Sequence, residues 1–233
     1  METRFNNIEI DKIIEVIYGN NQNVDIHKSI SIRYIKIDNE LKKIVNNIEK
    51  DDGLTRFIND LPMVKFVDFF DKNILLQSKK RFIIVKLTLV DSYLTFSDNF
   101  KYNDVSYHSN ILIIDNFTKE IERFDPVIQV NYNPAIDIMI IKYLIEIYPN
   151  YNYITPIKIC PLLGPQDIEE SFYYRENYGH CAAWCIYYLN CRINDPNKNR
   201  KSIINKLISQ DASILHNSII KFALYLRLLT DQI

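Results

Sequence analysis

The chain has 233 residues and a mass of 27.7 kDa, with 47% hydrophobic and 24% charged residues, a globular composition that excludes disorder as its main state. Its 28 Lys and Arg against 29 Asp and Glu give a net charge of -1, which speaks against a nucleic-acid partner gripped by a basic face and leaves room only for a local basic patch. Ile (40) and Asn (25) are abundant while Gly (4) and Ala (5) are scarce, and four of those nine small residues, Gly164, Gly179, Ala182 and Ala183, fall within 20 positions.

In chain order, residues 8–60 carry apolar positions at helical spacing, Ile10, Ile13, Ile14 and Ile17, then Leu41, Ile44 and Ile48. They predict a mostly helical N-terminal region over 1–60, with a short strand at 29–37, bounded by the turn signal Asp51-Asp52-Gly53 and followed by one domain over 61–233. Strands are predicted at 82–90, 107–114 and 120–124, where apolar runs are bounded by turn residues. Pro134 opens a helix over 135–148 that stops before Pro149. A strand at 154–160, a loop over 161–179, a helix at 181–192 and two further helices at 198–209 and 211–229 complete the chain. Strands in the middle with helices on both sides give an α+β fold, a mixed or antiparallel sheet with helices packed on it.

The most apolar stretch, 136–148, carries Asp137, Lys142 and Glu146 and falls short of the roughly 20 residues of a membrane span, so no membrane partner is expected. The start Met-Glu-Thr-Arg-Phe lacks the basic and apolar parts of a secretory leader, which predicts a cytosol-like, cytoplasmic location and four free thiols, Cys160, Cys181, Cys185 and Cys191.

Cys181 stands at the predicted start of a helix, after Gly179 and beside Ala182 and Ala183. There the positive end of the helix dipole and unpaired N–H groups favour a thiolate, which is what a nucleophile needs. The commoner fate of such a cysteine is a buried core position. Of the four histidines, His180 neighbours Cys181 but adjacent helical side chains diverge, and His27 and His216 lack a nearby acid on a rigid element. His108 opens an apolar strand, at a sheet end. A turn centred between Asn116 and Phe117 sets Asp125 opposite His108, with Cβ atoms about 5 Å apart, where a carboxylate orients and charges an imidazole. Asp115 and Glu122 are competing acids, and a one-residue change in turn length moves Asp125 off the His108 face. Gln166, on the Gly164-Pro165 loop, offers a side-chain amide for an oxyanion. The rival use of the cysteines is a zinc site of Cys181, Cys185, Cys191 and His180, although the spacing to Cys191 matches no common zinc knuckle. Trp184, Tyr187 and Tyr188 are assigned to core packing.

The order His108, Asp125, Gln166, Cys181 resembles the papain-like cysteine protease superfamily of the ubiquitin-like-protein (SUMO) proteases and the adenovirus maturation protease. The likeness is nearest to members from large DNA viruses, through the strand 108–115, the return strand Ile121-Glu122-Arg123-Phe124-Asp125-Pro126, the segment Gly179 to Trp184, and Arg192, Asn194 and Pro196. It covers about residues 80–210. It implies a thiol protease that hydrolyses peptide or isopeptide bonds without a cofactor, with Cys181 as nucleophile, His108 as base, Asp125 as orienting acid and Gln166 as oxyanion donor. The implied partner is a protein substrate, a polyprotein or a ubiquitin-like conjugate. Ser109 stands where cellular members carry Trp, and Gln166 lies fifteen residues upstream of Cys181, further than in those members. The alternative is a catalytically inactive or acyl-transferring relative that serves as a protein-binding module.

Overall fold

The structure, a computed structural model, describes residues 5, 7–37, 64–68, 70–94, 102–128, 134–160, 163–172 and 180–231. The elements in chain order are α1 (Asn7–Tyr18), β1 (Val24–Ile37), β2 (Val64–Phe66), α2 (Lys72–Gln77), β3 (Phe82–Leu94), β4 (Tyr102–Asp115) and β5 (Glu120–Phe124). There follow α3 (Pro134–Leu144), β6 (Asn152–Ile154), α4 (Pro156–Ile159), α5 (Pro165–Phe172), α6 (Cys181–Asn194), α7 (Arg200–Ile208) and α8 (Ala212–Thr230).

The described strands form one mixed sheet in the order β2-β1-β3-β4-β5-β6. β1 runs parallel to β3, and β6 parallel to β5, while the other neighbours are antiparallel. Alternation along the central strands feeds two cores. Ile84, Ile111, Ile113 and Phe124 pack under α1, α6 and α8. Ile83, Val85, Leu112, Ile114 and Ile121 pack under α2 and α3. A strand apolar on both faces is what a sheet covered on both sides requires, and this is why β3 and β4 read as near-continuous apolar runs. The fold is the expected α+β sheet with packed helices.

Several local readings change. The strand expected at 29–37 is fourteen residues long and begins at Val24, so the described N-terminal region is a helix followed by a sheet strand rather than mostly helix. Both are built into the cores of the sheet, α1 through Ile10, Ile13 and Ile14 on one face and β1 through Val24 on that face and Ile30 and Ile32 on the other. The helical spacing at 41–48 and the turn at 51–53 lie outside the described residues. The apolar run at 154–160 splits into β6 and α4, because Pro156, unable to donate to a ladder, stands at the first position of a helix instead. The expected loop at 161–179 contains α5. No helix among the described residues is long and apolar enough to cross a membrane.

Candidate active site

The β4–β5 hairpin turns through residues 116–119, with Lys119 at φ 58° and Asp115 Oδ1 accepting from the N–H groups of Phe117 (2.9 Å) and Thr118 (3.3 Å). This Asp115-anchored loop is longer than the turn expected from the sequence. Ile111 therefore pairs with Phe124 and Leu112 with Arg123, which sets Asn110, not His108, opposite Asp125. A shift of two residues preserves the face, so Asp125 remains on the His108 side, one diagonal step away. His108 Nε2 and Asp125 Oδ1 are 2.6 Å apart.

Asp125 is fully buried and held from several directions. Val127 N–H donates to its Oδ1 at 3.0 Å, and Arg123 Nη1 donates to its Oδ2 at 3.3 Å. Arg123, buried as well, makes a two-pronged pair with Asp137 of α3 (Nε to Oδ1, 2.8 Å; Nη2 to Oδ2, 3.2 Å) and donates to Asn110 Oδ1. The competing acids are engaged elsewhere. Asp115 caps the turn and pairs with Arg81 at 3.3 Å, while Glu122 pairs with Arg192 at 2.8 Å and with Arg200.

Cys181 is the first residue of α6, with His180 as N-cap, and is 8% exposed. Ser109 N–H donates to its Sγ at 3.4 Å, and one turn later the Cys185 thiol donates to Ser109 O at 3.3 Å. The backbone after His108 is thus clamped onto the start of α6. With Nε2 on Asp125, Nδ1 is the ring nitrogen of His108 left for the Cys181 sulfur, and the two groups are coupled electrostatically. The electrostatics follow from this geometry. Burial raises the Cys181 thiol, but the His108 hydrogen bond and charge and the Ser109 N–H outweigh it and lower its pKa. Burial lowers His108, yet the Asp125 charge and hydrogen bond, with Cys181, hold the imidazole well above its ordinary value. Asp125 is likewise lowered despite burial, by His108, Arg123 and Val127 N–H. Burial instead drives the Cys185 thiol well above its ordinary range, with the nearby Cys181 adding to the effect. A cysteine lowered in pKa at a helix N-terminus, beside a raised imidazole, is the arrangement that favours a thiolate with its own proton donor.

Gln166 is buried at the second position of α5, not on a loop, and its backbone N–H donates to Pro126 O at 3.1 Å. The start of α5 thus docks on the segment that carries Asp125. Asp167 Oδ2 tightens this junction by accepting from Gly164 N–H (2.7 Å) and Ile128 N–H (2.8 Å). A Cβ on Gly164 would lie 2.0 Å from Pro126 O. The clustered small residues therefore have different reasons. Gly164 permits backbone contact with Pro126, Ala182 and Ala183 are packed in the core, and Gly179 lies outside the described residues. Trp184 and Tyr188 are core residues, Tyr188 stacking on Phe124 at 4.1 Å between ring centres.

Sequence reasoning missed Arg123, Asn110 and Asp137, whose buried charge and polarity are invisible in a linear pattern. It also missed Glu169, although Gln166 and Glu169 stand three apart, a same-face spacing once the segment is known to be helical. His180 Nδ1 lies 2.6 Å from Glu169 Oε1 rather than in a cysteine cluster.

No family model matches the chain. Over 158 residues, 58% of this chain, it is 31% identical to the putative ankyrin repeat protein L371 of Acanthamoeba polyphaga mimivirus, and it spans about a fifth of that protein's length (19%). Among solved structures it is similar to the Chlamydia trachomatis effector protein Cdu1 bound to ubiquitin, with TM-score 0.52 and 13% identity over 99% of this chain and 96% of the other. It is also similar to ChlaDub1 from Chlamydia trachomatis, with TM-score 0.53 and 12% identity over 99% and 95%. At these identities the likeness is one of fold, and the two chains share it over nearly their whole length.

Proposed function

We propose that this chain is a thiol hydrolase that cleaves peptide or isopeptide bonds at the C-terminus of a ubiquitin-like protein. The observation that carries the reading is the His108–Asp125 pair beside Cys181 at the N-terminus of α6, where Ser109 N–H, next to His108, bonds the Cys181 sulfur, built on a fold shared with a Chlamydia effector whose solved structure holds ubiquitin. The Cys181 thiolate attacks the scissile carbonyl carbon, and the C=O electron pair moves onto oxygen. The Gln166 amide and the Cys181 backbone N–H stabilise that oxyanion. Collapse of the adduct breaks the C–N bond while the His108 imidazolium gives its proton to the leaving amine. Water then attacks the thioester, His108 takes its proton, and the carboxylate product and free thiol are released. Asp125 holds the imidazole in one tautomer and balances its charge.

The test is reaction with ubiquitin and with SUMO carrying a C-terminal electrophile, read as a mass increase on Cys181. Wild type gains one adduct and Cys181→Ala none. Absence of adduct with either probe, in protein whose Cys181 reacts with iodoacetamide, sinks the substrate assignment.

A further inference from the structure

A second buried cluster of titratable groups includes His180, the residue before Cys181. Glu169 of α5 is 1% exposed and its carboxylate accepts from three helix-borne donors. His180 Nδ1 reaches Oε1 at 2.6 Å, His216 Nδ1 of α8 reaches the same oxygen at 2.9 Å, and Trp184 Nε1 reaches Oε2 at 2.8 Å. The three titratable groups present their donor atoms within 4.8 Å of one another. The spacing is that of hydrogen bonds. A tetrahedral ion with bonds near 2.1 Å would hold its ligand atoms about 3.4 Å apart, and the third N–H here belongs to an indole, which donates only.

The placement of these groups matters more than their number. His180 is the N-cap of α6 and precedes Cys181, yet its side chain makes no cap bond to the helix. It is fixed by Glu169 instead. Trp184, whose N–H donates to His180 O in the first turn of α6, is bound to the same carboxylate through its indole. Glu169 in turn lies one helical turn from Gln166 on α5. One carboxylate therefore ties the residue before the nucleophile to the helix that carries the oxyanion donor. We infer that Glu169, acting through His180, is a positioning residue that sets Cys181 and Gln166 relative to one another; this rests on the hydrolase reading above. His216 joins α8 to the same carboxylate and lies against the His180 ring, 5.9 Å between ring centres. Its own backbone belongs to neither helix start, so its loss relaxes the core while the Glu169–His180 bond still holds the residue before the nucleophile.

The experiment compares Glu169→Gln, His180→Phe, His180→Asn and His216→Phe in the full chain. Three quantities are read: thermal unfolding, the pH profile of Cys181 alkylation by iodoacetamide followed on its peptide by mass spectrometry, and kcat and KM on a fluorogenic ubiquitin amide. Glu169→Gln, His180→Phe and His216→Phe all lower the melting temperature. Only Glu169→Gln and His180→Phe lower kcat, by about 10- to 100-fold, with KM nearly unchanged, and move the alkylation profile. His180→Asn, whose amide N–H can donate to Glu169 as Nδ1 does, recovers most of the loss. His216→Phe stays within about threefold of wild type. Equal kcat losses in the two His→Phe variants, or a wild-type profile in His180→Phe, would overturn the inference. So would one equivalent of zinc retained by protein purified without chelator. If Glu169→Gln does not fold, the contrast between positions 180 and 216 decides alone. A wild-type protein with a reactive Cys181 but no turnover refutes the substrate reading and leaves the alkylation arm to judge the positioning.

Discussion

Replacing Asp125 by Asn tests the centre of the site with little change of shape. The carboxylate sits 2.6 Å from His108 Nε2 and is buried, so its charge acts on the imidazolium with little solvent between them. At an effective dielectric of about 20, unit charges about 4 Å apart attract by about 4 kcal/mol, which is a ceiling. Asn retains one hydrogen bond, so the net loss is nearer that of a hydrogen bond to a charged group, about 1.5–3 kcal/mol. At about 1.4 kcal/mol per decade, this predicts a 10- to 100-fold fall in kcat/KM and an upward move of the acid limb of Cys181 alkylation by about one to two pH units. The sign follows from the network: without the carboxylate the imidazolium is less stable, so the thiolate that pairs with it forms only at higher pH. If the Asn amide turns its NH2 toward Nε2, the ring proton moves to Nδ1, the wrong tautomer for a base facing sulfur. An alkylation profile identical to wild type, or an equal loss from Asp115→Asn, would refute this account.

Other outcomes follow from the same contacts. Cys181→Ala and His108→Ala abolish turnover while leaving the circular dichroism spectrum folded; residual turnover in Cys181→Ala would exclude it as nucleophile. Arg123→Ala leaves Asp125, Asp137 and Asn110 without their shared cation. It costs about 3–5 kcal/mol, or about 10 °C or more in melting temperature by calorimetry. Gly164→Ala drives a Cβ into the Pro126 backbone, costing about 1–3 kcal/mol and displacing the Asp125 segment, so kcat falls along with stability. In a Cys181→Ala background, the destabilisation by Asp125→Asn depends on pH. His108 is raised, so its share of the pair's stability is present below an unfolded value near 6.5 and fades as pH rises through the folded value. Asp125 is lowered, so its share is present above an unfolded value near 3.9 and is lost as pH falls through the folded one. The effect of Asp125→Asn in urea titrations is therefore largest between about pH 4 and 6.5, and a flat profile would contradict the ion pair.

Some features are legible in the chain because they depend on neighbours in sequence. The apolar runs of β3 and β4, Pro134 at the start of α3, and a thiol at a helix start are local patterns, and each appears where the sequence puts it. The His108–Asp125 pairing survived an error in turn length because the error was even: the pleat repeats every two residues, so a two-residue slip keeps the face, whereas a one-residue slip would have lost it. What the linear pattern left ambiguous was settled by contacts between distant segments. β1 extends to fourteen residues because its partner β3 offers a parallel edge from a different part of the chain. The run after Ile154 becomes helix because Pro156 cannot join the ladder and Ile159 has a core to fill.

By itself, then, the sequence determined the α+β class, the main strands and helices, and the placing of a cysteine, a histidine and an acid on elements that bring them within reach. Only the tertiary structure decided which acid is free to face His108, since Asp115 and Glu122 are taken by Arg81, Arg192 and Arg200. It alone put Gln166 on a helix docked to the Asp125 segment and gathered Glu169, His180 and His216 from three helices. The physical reason is that periodicity reports which side chains are buried, whereas the pairing of buried charges depends on which segments meet, and burial leaves each such charge needing a partner.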